Sequence, residues 1–187
     1  MNNINVTEIP EPTLSRLLFG STRFSWVWLI IRVYLGWEWV SAGWHKVLGQ
    51  GWGPDSLLAY WTRAVTIPTA PAKPAIAYDW YRSFLEMLIG IDANTWMAPL
   101  VAWGELLVGV ALIAGAFVGI AAVFGAFMNL NFMLAGSAST NPVLFLIAIL
   151  VILAWRTAGW IGADRYLLPL VGTPWQLGTA FAGNKQN

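Results

Sequence analysis

The fold is decided by residues 24–48, which read FSWVWLIIRVYLGWEWVSAGWHKVL. At a rise of about 1.5 Å per residue, a helix of this length can cross a bilayer, yet it contains Arg32, Glu38 and His45. Ionisable side chains are costly inside a membrane, and those that occur there nearly always face a bundle interior or a polar cavity. We therefore expect this helix to form the wall of an intramembrane site.

Helical spacing divides the functional side chains of this span into two stripes. One stripe holds Arg32, Gly36, Trp39, Gly43 and Lys46. The other, roughly 120° away, holds Glu38, Ser41, Ala42 and His45. Because small residues spaced by four let helices approach closely in membrane bundles, the first stripe predicts close packing against another span.

The composition is that of a membrane protein. Hydrophobic residues make up 58% of the chain and charged residues 10%, whereas soluble domains usually have about a quarter of their residues charged. A net charge of +1, with scattered basic residues, argues against binding to nucleic acid. The chain has no cysteine, which excludes a thiolate nucleophile or a cysteine-ligated iron–sulfur cluster within it.

Three further apolar stretches predict membrane spans, at 96–114, 117–135 and 142–160. With the first span they predict an all-α integral membrane protein, a four-transmembrane-helix bundle over residues 23–168. Residues 1–22 read as a polar N-terminal tail without the features of a signal peptide, and residues 169–187 as a C-terminal tail.

The insertion at residues 49–95 is too polar to span and too apolar for a plain loop. Helices are predicted over 54–66 and 74–91, and the second has the amphipathic pattern of a helix that lies in the membrane interface. We expect the insertion to form an interfacial cap between the first and second spans, either over a ligand or packed on the bundle without one.

Four spans place both termini on one side of the membrane. The basic residues at the ends of the spans give only a weak positive-inside signal. We expect a multi-pass protein of the cytoplasmic (inner) membrane with both termini in the cytoplasm.

The candidate catalytic residues are the buried charges Arg32, Glu38 and Glu105, the last near the middle of the second span. Arg32 can neutralise one carboxylate, and an unpaired buried carboxylate tends to take a proton. We expect Arg32 to form a salt bridge with Glu105 or Glu38, and one glutamate to carry a mobile proton. The alternative is a purely structural network. Because His45 is the single histidine, neither an intrinsic metal nor a haem is expected.

Several motifs resemble the DoxX family of small four-helix membrane proteins, which includes the DoxD-type subunit of thiosulfate:quinone oxidoreductase. They are Arg32 followed by LGWEWVSAGWHK, the segment WGELLVGVALIAG that contains Gly104 and Glu105, and the closing GADRYL. The hallmark residues of that family correspond here to Arg32, Gly36, Gly43, Lys46, Gly104 and Glu105. The resemblance runs from about Phe24 to Leu168 and omits much of the insertion. It implies a quinone-linked redox complex, usually with a partner protein. Oxidation of a sulfur compound is one candidate reaction for such a complex.

On this basis the sequence predicts the membrane subunit of a quinone-linked oxidoreductase, with a homo-oligomer as a further possibility. His45 and Lys46 are the candidate hydrogen-bond donors to a quinone headgroup, and Trp44 and Trp52 the candidate stacking residues. Two other classes remain open. A proton-coupled transporter would expose its carboxylates alternately to each side, whereas a structural anchor would have a sealed, fully paired network and a bare apolar flank.

Overall fold

The computed structural model describes residues 10–49, 51–173 and 176–181, and these residues are mostly helical. The helices are α1 Thr13–Gly20, α2 Ser25–Val47, α3 Pro54–Val65, α4 Asp79–Gly90, α5 Asn94–Ala114, α6 Val118–Leu134, α7 Asn141–Leu153, α8 Trp155–Ala158 and α9 Asp164–Val171. A two-residue antiparallel ladder, β1 Gly172–Thr173 and β2 Gln176–Leu177, follows them.

Four long helices form the bundle, and a helix is confirmed at each stretch where a span was predicted. Helix α2 packs mainly on α5 and also on α7, and α6 packs on α7 and α5. Aliphatic, alanine and tryptophan side chains from all four helices form one core, with Leu35, Leu112, Val118 and Val151 almost completely buried. Each of these helices therefore turns one face inward.

The outward faces of the same helices are apolar as well. Large side chains such as Ile30, Trp37, Leu107 and Phe127 are each about 60% exposed. By length and apolarity, α5 is the one helix in the described ranges that could cross a membrane by itself, and α6 and α7 are apolar but shorter. A bundle that is apolar inside and outside requires an apolar solvent around it.

The fourth predicted span is not one continuous helix. Helix α7 ends at Leu153, and the one-turn helix α8 begins at Trp155. The break lies where the Thr157 hydroxyl donates a hydrogen bond to the Ala154 carbonyl, at 3.0 Å. A threonine side chain that binds the backbone three residues earlier competes with the regular helical ladder.

The insertion forms the predicted pair of helices, although the second begins later than expected. Residues 74–78 are not helical, and α4 begins at Asp79 instead of residue 74. Ile76 is 1% exposed in this stretch, and its carbonyl accepts a hydrogen bond from the Arg82 side chain at 2.9 Å. The burial of Ile76 therefore favours the non-helical path over one more turn of helix.

The cap has its own core and is fastened to the bundle. Leu57, Trp61, Tyr81 and Leu85 pack together beneath α3 and α4 with the start of α5. The Tyr81 hydroxyl donates to the Asn131 carbonyl on α6, at 3.0 Å. The cap is thus a packed layer over one end of the bundle.

Candidate functional site

Close contact between α2 and α5 positions the site. A Cβ atom at Gly43 would lie 2.5 Å from the Leu106 amide nitrogen, and one at Gly109 would lie 2.5 Å from the Val40 amide nitrogen. A Cβ at Gly36 would lie 2.9 Å from the Gly109 carbonyl oxygen. The predicted glycine stripe is confirmed, because only glycine allows the two backbones to approach this closely.

Lys46 and Glu105 form an ion pair across this interface. The Lys46 Nζ atom lies 2.6 Å from each carboxylate oxygen of Glu105. The Glu105 side chain is 1% exposed, whereas that of Lys46 is 23% exposed. The carboxylate is therefore buried inside the bundle, whereas its ammonium partner is partly exposed.

Aromatic rings surround the Lys46 ammonium. Its Nζ atom lies 4.9 Å from the centre of the Trp52 ring and 5.8 Å from that of Phe132, distances at which a cation is attracted to the face of a ring. The Trp52 indole N–H donates to the Ala98 carbonyl at 2.9 Å, which holds the ring in position over the pair. Three predicted site residues, Lys46, Trp52 and Glu105, thus meet at one place.

The other predicted headgroup residues lie outside this group of contacts. Trp44 is 53% exposed on the outer face of α2, and the His45 side chain is exposed at the end of the same helix. Glu38 is half-buried about 12 Å before Lys46 along the helix axis, and it forms no ion pair within the described ranges.

The predicted salt bridge between Arg32 and a glutamate is wrong. The Arg32 guanidinium is buried and donates to three main-chain carbonyls, those of Leu112, Ile113 at 2.9 Å and Ile161 at 2.5 Å. Two of these carbonyls belong to the last turn of α5, where a helix has unpaired carbonyl groups and partial negative charge. Arg32 therefore caps α5 and joins it to the segment before α9.

Asp164 performs the complementary task at the start of α6. Its carboxylate oxygens accept hydrogen bonds from the Phe117 amide at 2.5 Å and the Val118 amide at 2.9 Å. Burial raises the pKa of the Asp164 carboxyl, while the two amide hydrogen bonds and the positive charge of Arg32 lower it. In the sequence, GADRYL stands out as part of a family motif, but nothing in it predicts the capping role of Asp164. An acidic residue in a Gly-Ala-Asp turn after the last span was the available signal.

The buried polar groups that lack a hydrogen-bond partner in the described part of the chain include one on α2 and one on α6. These two are the indole N–H of Trp39 and the side-chain amide of Asn129, which is completely buried. A Cβ atom at Gly125, one helical turn before Asn129, would lie 3.0 Å from the Trp39 Nε1 atom. The Trp39 indole of α2 therefore lies against the inner face of α6, the face that also carries Asn129 and, one turn further on, Phe132.

The fold and this arrangement define a class, a small helical membrane protein with buried charges between its helices. The sequence model of the DoxX family matches residues 27–138, more than half of the 187 residues. The chain belongs to the DoxX family, which is a membrane family. No significant match was found among the curated proteins or among the solved structures.

Proposed function

We propose that this protein is the membrane subunit of a quinone-linked oxidoreductase, and that a quinone headgroup binds beside Lys46 and Trp52. The observation that carries the proposal is the Lys46–Glu105 pair, a buried carboxylate whose partner ammonium remains partly accessible beneath an aromatic cap. Membership of the DoxX family supports a membrane protein with a redox connection. The substrate side of the complex, including sulfur-compound oxidation, belongs to a partner protein in this proposal.

The residues present fit such a headgroup. An ammonium has three N–H donors, so Lys46 can hold both oxygens of Glu105 and still donate to a carbonyl oxygen. Trp52 supplies a flat apolar face beside that donor. When bound, a quinone accepts two electrons and two protons, and the electrons would come from a reduced partner subunit.

The protein's own contribution is to hold and move protons. Glu105 can exchange a proton with Lys46, because both carboxylate oxygens lie within hydrogen-bond distance of Nζ. Glu38 on α2 is the second exchanger in this proposal, since it is half-buried and outside the ion pair. Arg32 takes no part in proton exchange in this proposal, because its N–H groups donate to carbonyls at the far end of α5 and before α9.

We further propose that α2, α5, α6 and α7 all cross the cytoplasmic membrane, with both termini in the cytoplasm and the cap on the other side. Charged residues on α2 lower its apolarity, but Arg32 and Lys46 have partners on α5, which offsets part of the cost of burying them. The apolar outer faces of all four helices match a lipid environment.

Equilibrium dialysis of decylubiquinone against the purified protein with its native partners tests the proposal. We expect saturable binding that Lys46→Met weakens by about tenfold or more, since a hydrogen bond to a charged group is worth about 1.5–3 kcal/mol. Trp52→Leu should also weaken binding. Trp44→Leu is the matched control, because Trp44 is a tryptophan of the same region that faces outward.

Glu38→Gln separates binding from proton exchange. The amide keeps the shape of the side chain but cannot exchange a proton, so decylubiquinone should bind normally while turnover of the native complex slows. Absence of saturable binding to the wild-type complex would refute the quinone site.

A structural anchor for a larger complex is the second candidate function. It is favoured by the pairing of both Glu105 carboxylate oxygens with Lys46 and by the bare apolar flank of the bundle. An anchor predicts that Lys46→Met releases the partner proteins during purification and that no decylubiquinone binds. A quinone site predicts that the partners stay bound to this variant.

A further inference from the structure

A second, independent site lies at the opposite end of the bundle from the Lys46–Glu105 pair. An open cavity of about 520 Å³ is bounded there by the turn before α2, by α8 and α9, and by the β1–β2 ladder. The polar and aromatic side chains that matter in it are Thr22, Trp155, Arg156, Trp160, Arg165 and Thr179. Nothing in the proposed quinone chemistry uses this cavity.

The charges around the cavity favour an anion. Arg156 and Arg165 are exposed, and neither forms an ion pair with any residue that the structure describes. The acidic residue of the lining, Asp164, has both oxygens bonded to the α6 amides and lies near the positive charge of Arg32. The Asp164 carboxylate is therefore directed away from the two arginines, which leaves their guanidinium groups to a ligand.

The residues that line the cavity suit a phosphate group at a membrane surface. The Arg165 guanidinium lies 5.2 Å from the centre of the Trp160 ring, which limits its orientation, and guanidinium groups bind phosphate oxygens in pairs. Trp155 and Trp160 follow the end of α7, and tryptophan is enriched at the headgroup level of membranes. Leu170 on α9 is 50% exposed beside the cavity, as expected for a short helix resting on lipid.

We propose that this cavity binds the phosphate of an anionic phospholipid headgroup, held by Arg156 and Arg165. A free phosphate ion shares the recognised chemistry, and the acyl chains distinguish the two sources, since they would lie against the apolar outer faces of α2 and α7. The site fixes the terminal end of the bundle to one leaflet. It stands apart from the quinone proposal, and failure of either leaves the other intact.

Lipid titration monitored by native mass spectrometry in mild detergent tests the site. Phosphatidylglycerol should bind saturably to the wild type and more tightly than zwitterionic phosphatidylcholine. Arg156→Gln and Arg165→Gln should each weaken phosphatidylglycerol binding about fivefold, which corresponds to about 1 kcal/mol for one basic side chain near an anionic surface. Arg63→Gln, an exposed arginine on the cap, should bind like the wild type.

Two further arms complete the experiment. Thermal unfolding without added lipid should be the same for the wild type and every variant, including the Arg156→Gln/Arg165→Gln double variant, which shows that the substitutions leave the fold intact. Titration with sodium phosphate should not displace the lipid, whereas displacement would overturn the headgroup in favour of a soluble phosphate. Equal phosphatidylglycerol binding by the wild type and the Arg156→Gln/Arg165→Gln double variant would overturn the site itself.

Discussion

Arg32 and Asp164 bind the two sides of a single interhelical turn. The guanidinium of Arg32 donates hydrogen bonds to the last carbonyls of α5. The carboxylate of Asp164 accepts hydrogen bonds from the amides at the start of α6. Gly115 lies between the helices with φ of 69°, and a Cβ atom there would be 2.7 Å from the Arg32 Cζ atom. Opposite charges thus meet the opposite dipole ends of consecutive helices.

Asp164→Asn should destabilise the protein by about 1–3 kcal/mol. The substitution removes one charge-assisted acceptor and directs an N–H₂ group toward a backbone amide that is also a donor. Thermal unfolding in detergent measures the effect. Asp92→Asn is the control, because Asp92 is exposed and has φ of 50°, a conformation that asparagine adopts equally well. Equal unfolding temperatures for the two variants would contradict the capping role.

The Lys46–Glu105 pair should show strong coupling in a double-mutant cycle. Lys46→Met or Glu105→Gln alone leaves one charge without its partner, and each should cost about 3 kcal/mol of unfolding free energy. The double variant should cost clearly less than the sum. The cycle of Arg32→Met with Glu105→Gln serves as control and should be additive, since Arg32 is bonded to main-chain carbonyls instead. Coupling in the control cycle but not in the first would refute the observed pairing.

Glycines on α5 should differ sharply in their tolerance of alanine. Gly109→Ala places a methyl group 2.5 Å from a backbone nitrogen of α2, so it should separate the helices and reduce the yield of folded protein. Gly104→Ala meets only the Met128 Sδ atom at 3.6 Å, an ordinary contact. It should leave the unfolding temperature unchanged or slightly higher, because alanine favours helix over glycine. Size-exclusion chromatography and thermal unfolding compare the two variants.

Topology can be tested by labelling single cysteines, because the chain has none of its own. Arg16→Cys on α1 and Arg63→Cys on α3 are both exposed positions at opposite ends of α2. An impermeant maleimide applied to intact cells should label position 63 but label position 16 only after the membrane is broken. Labelling of both positions from outside would refute the proposed crossing of the membrane by α2.

The cap should become less stable at alkaline pH. Burial raises the pKa of Tyr81 to about 12 from an ordinary value of 10.0. The folded state then holds this proton more tightly than the unfolded state, so stability falls as pH rises from about 10 to 12. Absorbance titration of tyrosinate should show one group ionising last, and Tyr81→Phe should remove it. A Tyr81→Phe variant with an unchanged titration curve would contradict this assignment.

The sequence was sufficient to predict the helices and the close α2–α5 contact, because long apolar runs and spaced glycines have local signatures. It was not sufficient to predict the partners of the charges. Helical spacing placed Arg32 and Lys46 on one stripe. Which of the two forms the ion pair with Glu105 depends on the register of α2 against α5. That register places Gly36 against Gly109 and therefore Arg32 at the end of α5.

The positions of Asp164 and Asn129 were equally beyond local reasoning. Asp164 acts on a turn 47 residues earlier in the chain, and such a contact leaves no periodic signal. Asn129 is a polar residue within an apolar stretch, but its complete burial depends on how the helices pack together. The delayed start of α4 follows from the burial of Ile76, which likewise requires the neighbouring elements.

The contacts between α2 and α5 also have a consequence for biosynthesis. In the proposed topology α2 leaves the ribosome first, while Glu105 and two of the carbonyls bound by Arg32 are made more than 50 residues later. Until α5 emerges, the charged groups of α2 must remain in the aqueous part of the insertion machinery or at its lipid boundary. In that topology we expect the stable insertion of α2 to wait for the synthesis of α5, so that the two helices enter the membrane as a pair.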